Sequence, residues 1–173
     1  GSVTFADGKA VYASTFTPAA GAYAVVMNSD TAAVKNAVTF ANTGTLTLGN
    51  SASDSFTFGS GVTATAPSSK TVAGTITATN GDINFGTSAT TVAAVTKFDG
   101  SASGAITLGD VALASGVTLT AGDASDSNSI TFGKITPASN SNGTVAVVNA
   151  GGAVSFTGDI GTSSLYLGTL TLS

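Results

Sequence analysis

Asp, Lys, Tyr, Ser and Thr are the only side chains in this 173-residue chain that could serve as acid, base or nucleophile, because Cys, His, Trp, Arg, Glu and Gln are all missing. Acid-base catalysis near neutral pH usually recruits His, or a Glu or Lys tuned by burial, and a nucleophilic hydroxyl needs a base beside it. Ser-His-Asp and Cys-His constellations are therefore excluded, and so are zinc sites built from Cys and His. Any metal would be a hard cation held by oxygen. Serines such as Ser14 and Ser103 have no evident base partner. Paired aspartates could hydrolyse glycosides, but such clefts also carry His or Arg, which this chain lacks. The expectation is a protein that is not an enzyme and needs no cofactor.

The densest oxygen-bearing run is Gly122 to Asn128. Its Asp123, Asp126 and Asn128 are a candidate Ca²⁺ site, since that ion takes six to eight oxygen ligands. The run lacks a bidentate Glu and the glycine-rich nonapeptide of calcium-binding β-rolls, and the same residue types make ordinary solvated turns. Threonines two apart recur at Thr45/Thr47, Thr63/Thr65, Thr75/Thr77/Thr79, Thr118/Thr120 and Thr169/Thr171. A flat stack of such pairs could order water, as in ice-binding proteins, although their spacing in the chain wanders. The lysines, Lys9, Lys35, Lys70, Lys97 and Lys134, could join cross-links to carboxyl or amide groups, or stand exposed and blunt strand edges. Tyr12, Tyr23 and Tyr166 could contact sugars.

These residues must sit on strands. Thr, Ser, Ala, Gly and Val dominate, and β-branched residues favour a pleated surface while 22 glycines interrupt helices. An alternating motif of apolar, small polar, apolar, then Gly occurs at residues 46–49, 56–59, 83–86, 106–109, 130–133 and 165–168. Looser copies lie at 3–5, 38–40, 117–119 and 154–156. In each, the two apolar side chains share one face. The closing glycines fall at 49, 59, 86, 109, 133 and 168, giving central gaps of 27, 23 and 24 residues. Gaps of that size match one solenoid repeat.

The expected fold is all-β: a parallel β-solenoid of about seven short coils, roughly 35 Å long at ~4.8 Å per coil. A β-sandwich is the alternative. Gly-Asp and Asn-Gly punctuation at 80–82, 109–110, 122–123 and 158–159 favours the solenoid. Residues 3 to 37 are less regular and could form a coil, a loop or a short helix from Asp30 to Lys35 with Asp30 as its cap. Residues 1–173 read as one domain or a piece of a longer array, with Gly1-Ser2 read as a cloning remnant.

A net charge of −4 and the absence of Arg argue against nucleic acid. No apolar run approaches the ~18 residues of a membrane helix, so no membrane insertion of this segment is expected.

Segments 74–86 and 104–109 resemble the coils of autotransporter passenger domains and filamentous-haemagglutinin-like adhesins of Gram-negative bacteria. The resemblance covers roughly residues 38 to 173. It implies a right-handed parallel β-solenoid secreted to the bacterial cell surface, acting in adhesion or aggregation. The implied partners are a glycan or protein on a host or neighbouring cell, or copies of the chain itself in a surface layer or fibre.

Overall fold

The computed structural model describes residues 1–102, 104–140, 142–149 and 151–173. Every strand pairing among the described residues is parallel, and neighbouring strands come from successive passes of the chain. That arrangement is a β-solenoid of about seven coils; it sets aside the β-sandwich, whose sheets are antiparallel.

Each coil has three faces. The first is made by Ser2–Phe5, Ala24–Met27, Thr45–Leu48, the start of Ser69–Ala78, the start of Thr90–Asp99, Val111–Leu113 and Ile135–Pro137. The second is made by Ala10–Ala13, Thr31–Val34, Ser55–Phe58, the ends of the same two long strands, Thr118–Ala121, Thr144–Val147 and Thr169–Leu172. The third comprises Val38–Thr39, Val62–Thr63, Ile83–Asn84, Ile106–Leu108, Ile130–Phe132 and Val154–Phe156. Ser69–Ala78 and Thr90–Asp99 run around the corner between the first two faces, so those faces form one sheet. The bend in Ser69–Ala78 falls at Gly74, whose φ is +81° and where a Cβ would lie 2.2 Å from the Asp54 carbonyl oxygen. Only glycine meets both conditions without strain.

The repeat is shorter and more even than the glycine gaps suggest. Lys70 pairs with Thr90 and Thr118 with Thr144, so a coil takes 20 to 26 residues. The 23- and 24-residue gaps are true coil advances along the third face, Ile83 to Ile106 to Ile130. The 27-residue gap is not, because residues 56–58 lie on the second face and 83–84 on the third. The 10-residue gap spans one corner within a single coil. The apparent 35-residue gap closes through the looser copy at Val154–Phe156, which stacks on Ile130–Phe132.

Residues 3 to 37 are ordinary coils. Thr31–Val34 is a strand rather than a helix; its alternate residues Ala32 and Val34 are buried, which a period of two achieves and a helical period would not. Asp30 caps no helix: its carboxylate accepts the Gly8 N–H of the preceding coil at 2.8 Å. Two of the Gly-Asp corners act alike, Asp82 accepting Ala105 N–H and Asp110 accepting Lys134 N–H, both at 2.8 Å. These carboxylates stitch one coil to the next where strand pairing ends.

The core is a stack of inward rungs. On the third face Phe40, Ala64, Phe85, Leu108 and Phe132 are all buried, and Phe132 stacks on Phe156 with centroids 5.2 Å apart and planes 8° from parallel. Edge-to-face pairs cross the interior, as between Phe85 and Phe98 at 5.2 Å. Such stacking supplies the burial that balances ordering the chain.

Candidate functional surface

Strand alternation sends one residue of each rung outward, and parallel register stacks those residues into columns ~4.8 Å apart. The longest uniform column runs along the third face: Thr39, Thr63, Asn84, Thr107, Thr131 and Ser155, partnered in unbroken register. Small residues make most of its border, Gly61, Ala105 and Ser129 on one side, where Asp82 is the exposed exception, and Gly86, Gly109 and Gly133 on the other. The result is a flat strip with hydroxyl and amide groups along its centre.

The threonine pairs do not stack into one array. Thr45/Thr47 are on the first face, Thr63 is on the third, and Thr75/Thr77, Thr118/Thr120 and Thr169/Thr171 are on the second. On the second face, Lys97 and Asp99 occupy the rungs above Thr75 and Thr77 and interrupt the hydroxyl pattern.

Lys97 is paired. Its ammonium donates to Asp99 at 3.1 Å and to Asp123 of the next coil at 3.0 Å. Partial burial pulls the Lys97 pKa down, but hydrogen bonds and charge from Asp123 and Asp99 outweigh it and leave the pKa raised. Asp123 is held well below the usual carboxylate range, first by the Ser125 backbone N–H and then by Lys97 and the Ser125 hydroxyl.

The three residues of the candidate Ca²⁺ site have separate tasks. Asp123 faces Lys97, and Asp126 is nearly buried with its backbone N–H on the Asp123 carbonyl. Asn128 is fully buried, its amide donating to the Ser101 and Gly104 carbonyls at 2.6 and 2.8 Å. No group of three or more acidic residues converges as a metal cage among the described residues.

Two expectations drawn from the sequence fail at Lys70. It is not an exposed lysine on a strand edge: it is 1% exposed and takes the inward position between Leu46 and Thr90. Desolvation lowers its pKa to about 8. Ser88 does have an amine beside it, for Lys70 Nζ donates to its hydroxyl, which in turn donates to the Pro67 carbonyl at 3.1 Å. The alternation around residue 70 was the available signal, since it places Lys70 in phase with Val72. Ser14 lies on the surface without such a partner; Ser103 is outside the described residues.

A groove of about 770 Å³ lies at the corner between the second and third faces, crossing the first four coils. Tyr12 and Lys35 stand exposed in its wall. Tyr166 is also exposed, whereas Tyr23 is half-buried and donates to the Ala19 carbonyl at 2.7 Å.

Comparison with protein-family models, with curated proteins and with solved structures returns no match. The fold and the outward columns define the chain as a parallel β-solenoid presenting long polar faces.

Proposed function

We propose that this chain is a structural and adhesive module of the bacterial cell surface, secreted and acting outside the cell through an extended polar face rather than through chemistry at a pocket. The observation that carries this reading is the six-rung Thr, Asn and Ser column of the third face with its flat border of small residues. A flat ladder offers one hydroxyl or amide per coil, so a partner of repeating structure gains many weak contacts at once, and their sum grows with the length engaged. The Thr, Asn and Ser of the column itself are uncharged, which keeps desolvation of each central contact cheap, while Asp82 stands exposed beside it.

The test is retention of chain-coated beads on bacterial and animal cells and on immobilised glycans. Wild type is expected to be retained, and Thr107→Lys with Thr131→Lys, which raise two long side chains from the strip, to lose retention while still folding. Absence of retention on every surface overturns the adhesive reading.

The end coils favour a second reading, a self-assembling coat or fibre. Val3, Ile160, Leu170 and Leu172 occupy inward columns yet stand 38 to 59% exposed. A second copy stacked end to end would cover them. Electron microscopy of the pure protein tests this, ordered polymers supporting it and a persistent monomer counting against it.

A further inference from the structure

The corner groove has a composition unlike the rest of the surface. Tyr12, 76% exposed, stands at one end, and in its column the next three rungs are Ala33, Thr57 and Thr77. The methyl of Ala33 is too small to cover the tyrosine ring, which stays open to solvent. Gly59 opens the floor: a Cβ there would lie 2.0 Å from the Lys35 carbonyl oxygen, so no side chain can fill that position. The polar groups in the wall are unspent. The side chains of Ser14, Asn36 and Ser60 make no hydrogen bond among the described residues, and Asn80 makes only a long one, 3.4 Å, to the Gly59 carbonyl.

Charge narrows the ligand. The chain carries nine aspartates and a net charge of −4, yet no carboxylate lines this groove and one ammonium, Lys35, does. Lys35 has no acidic partner among the described residues. A groove with an open aromatic face, free amides and hydroxyls and one uncompensated cation suits a ligand with apolar C–H faces, many hydroxyls and negative charge. It crosses four coils, roughly 14 Å at the coil spacing, enough for a short run of linked sugar rings.

We infer that the groove binds an acidic polysaccharide lying along the solenoid axis, one sugar ring on Tyr12, an acidic group on Lys35, and hydroxyls on Asn36 and Ser60. This deepens the adhesive reading and rests on it, but it places recognition on a different face from the threonine ladder.

The test is titration calorimetry of the whole chain with polygalacturonate oligomers, with neutral dextran oligomers of matched length as the comparison. The expected result is binding of polygalacturonate that weakens with added salt, and at least tenfold weaker binding of dextran. Tyr12→Ala and Lys35→Gln are each expected to weaken polygalacturonate binding at least tenfold, and Tyr166→Ala, an exposed tyrosine at the far end, to leave it unchanged. Thermal unfolding of all three should match wild type, because these side chains are exposed. Equal binding of both sugars, or indifference to both groove substitutions, overturns the inference. If the groove variants keep full retention on cells while the ladder variant loses it, the groove assignment falls and the adhesive reading stands. If no surface retains wild type, the adhesive reading falls with it.

Discussion

Lys70 lies inside the solenoid with its ammonium against the Ser88 hydroxyl, in a column whose other members are almost all aliphatic. The next rung, Thr90, is fully buried with its hydroxyl unpaired. Burying a charge with so few partners costs stability. In the folded chain the group titrates at about 8, and unfolded near its ordinary 10.5. Between those values the unfolded chain holds more protons, so stability rises with pH across that window. Below pH 8 the penalty is present in full, about 3 kcal/mol. Lys70→Met, which keeps an unbranched chain of similar length, should raise the melting temperature at pH 7, and the advantage should vanish by about pH 10.5. A gap between the two proteins that does not change with pH would contradict this account.

Asp123 should titrate far below a normal carboxyl. A carboxylate whose folded pKa is lowered adds stability that is present above its unfolded value of 3.8 and is lost as pH falls through the folded value. Carboxyl carbon shifts followed by NMR should show Asp123 still ionised well below the usual carboxylate range. Lys97→Met should move its titration upward, and Ser125→Ala should do so less, because the Ser125 N–H remains.

Gly74 and Gly8 separate steric crowding from backbone strain. Both have positive φ, +81° and +69°. A Cβ at Gly8 would meet nothing within 4 Å, whereas at Gly74 it would meet the Asp54 carbonyl oxygen at 2.2 Å. Gly8→Ala should cost about 1 kcal/mol, the left-handed penalty alone. Gly74→Ala should cost several-fold more, because a long strand and its neighbour must separate at the corner. Urea unfolding of the two variants gives the comparison.

The Asn128 amide satisfies two carbonyls in a buried corner, so Asn128→Ala should lower stability by about 1–3 kcal/mol, a shift of about 2–12 °C in a chain of this size. Asn128→Asp should cost more, since a carboxylate cannot donate to the Ser101 and Gly104 oxygens. A calorimetric scan decides it; an Asp variant as stable as wild type would refute the bonding pattern.

In the core, Phe132→Ala should cost about 3–5 kcal/mol, for its ring is buried and stacked on Phe156. Leu172→Ala, on an end coil and 59% exposed, should cost a fraction of that. Equal losses would mean that the coils do not contribute through stacked interior rungs.

Which strands exist was legible in the chain because burial in a strand requires a period of two, and Ile130-Thr131-Phe132 shows that period without ambiguity. Coil length was legible only where two strong copies occupied the same face, as at 83, 106 and 130. Between 56 and 83 the motif repeated on different faces, and spacing alone cannot distinguish a corner from a coil. The candidate site fared differently. Asp123 and Asp126 stand out as a cluster in the chain, yet the partner that commits Asp123 is Lys97, 26 residues away and one coil below. The groove is not legible in the chain, because Tyr12, Lys35, Ser60 and Asn80 come from four coils.

The sequence by itself determined the alternation, the exclusion of His- and Cys-based chemistry, and a repeat near two dozen residues, because these depend on residue type and local period. Only the tertiary structure decided which outward residues share a column, which corner becomes a groove, and that Lys70 faces inward. Those are properties of register between successive coils, set where glycine corners and aspartate bridges let one pass of the chain close against the next.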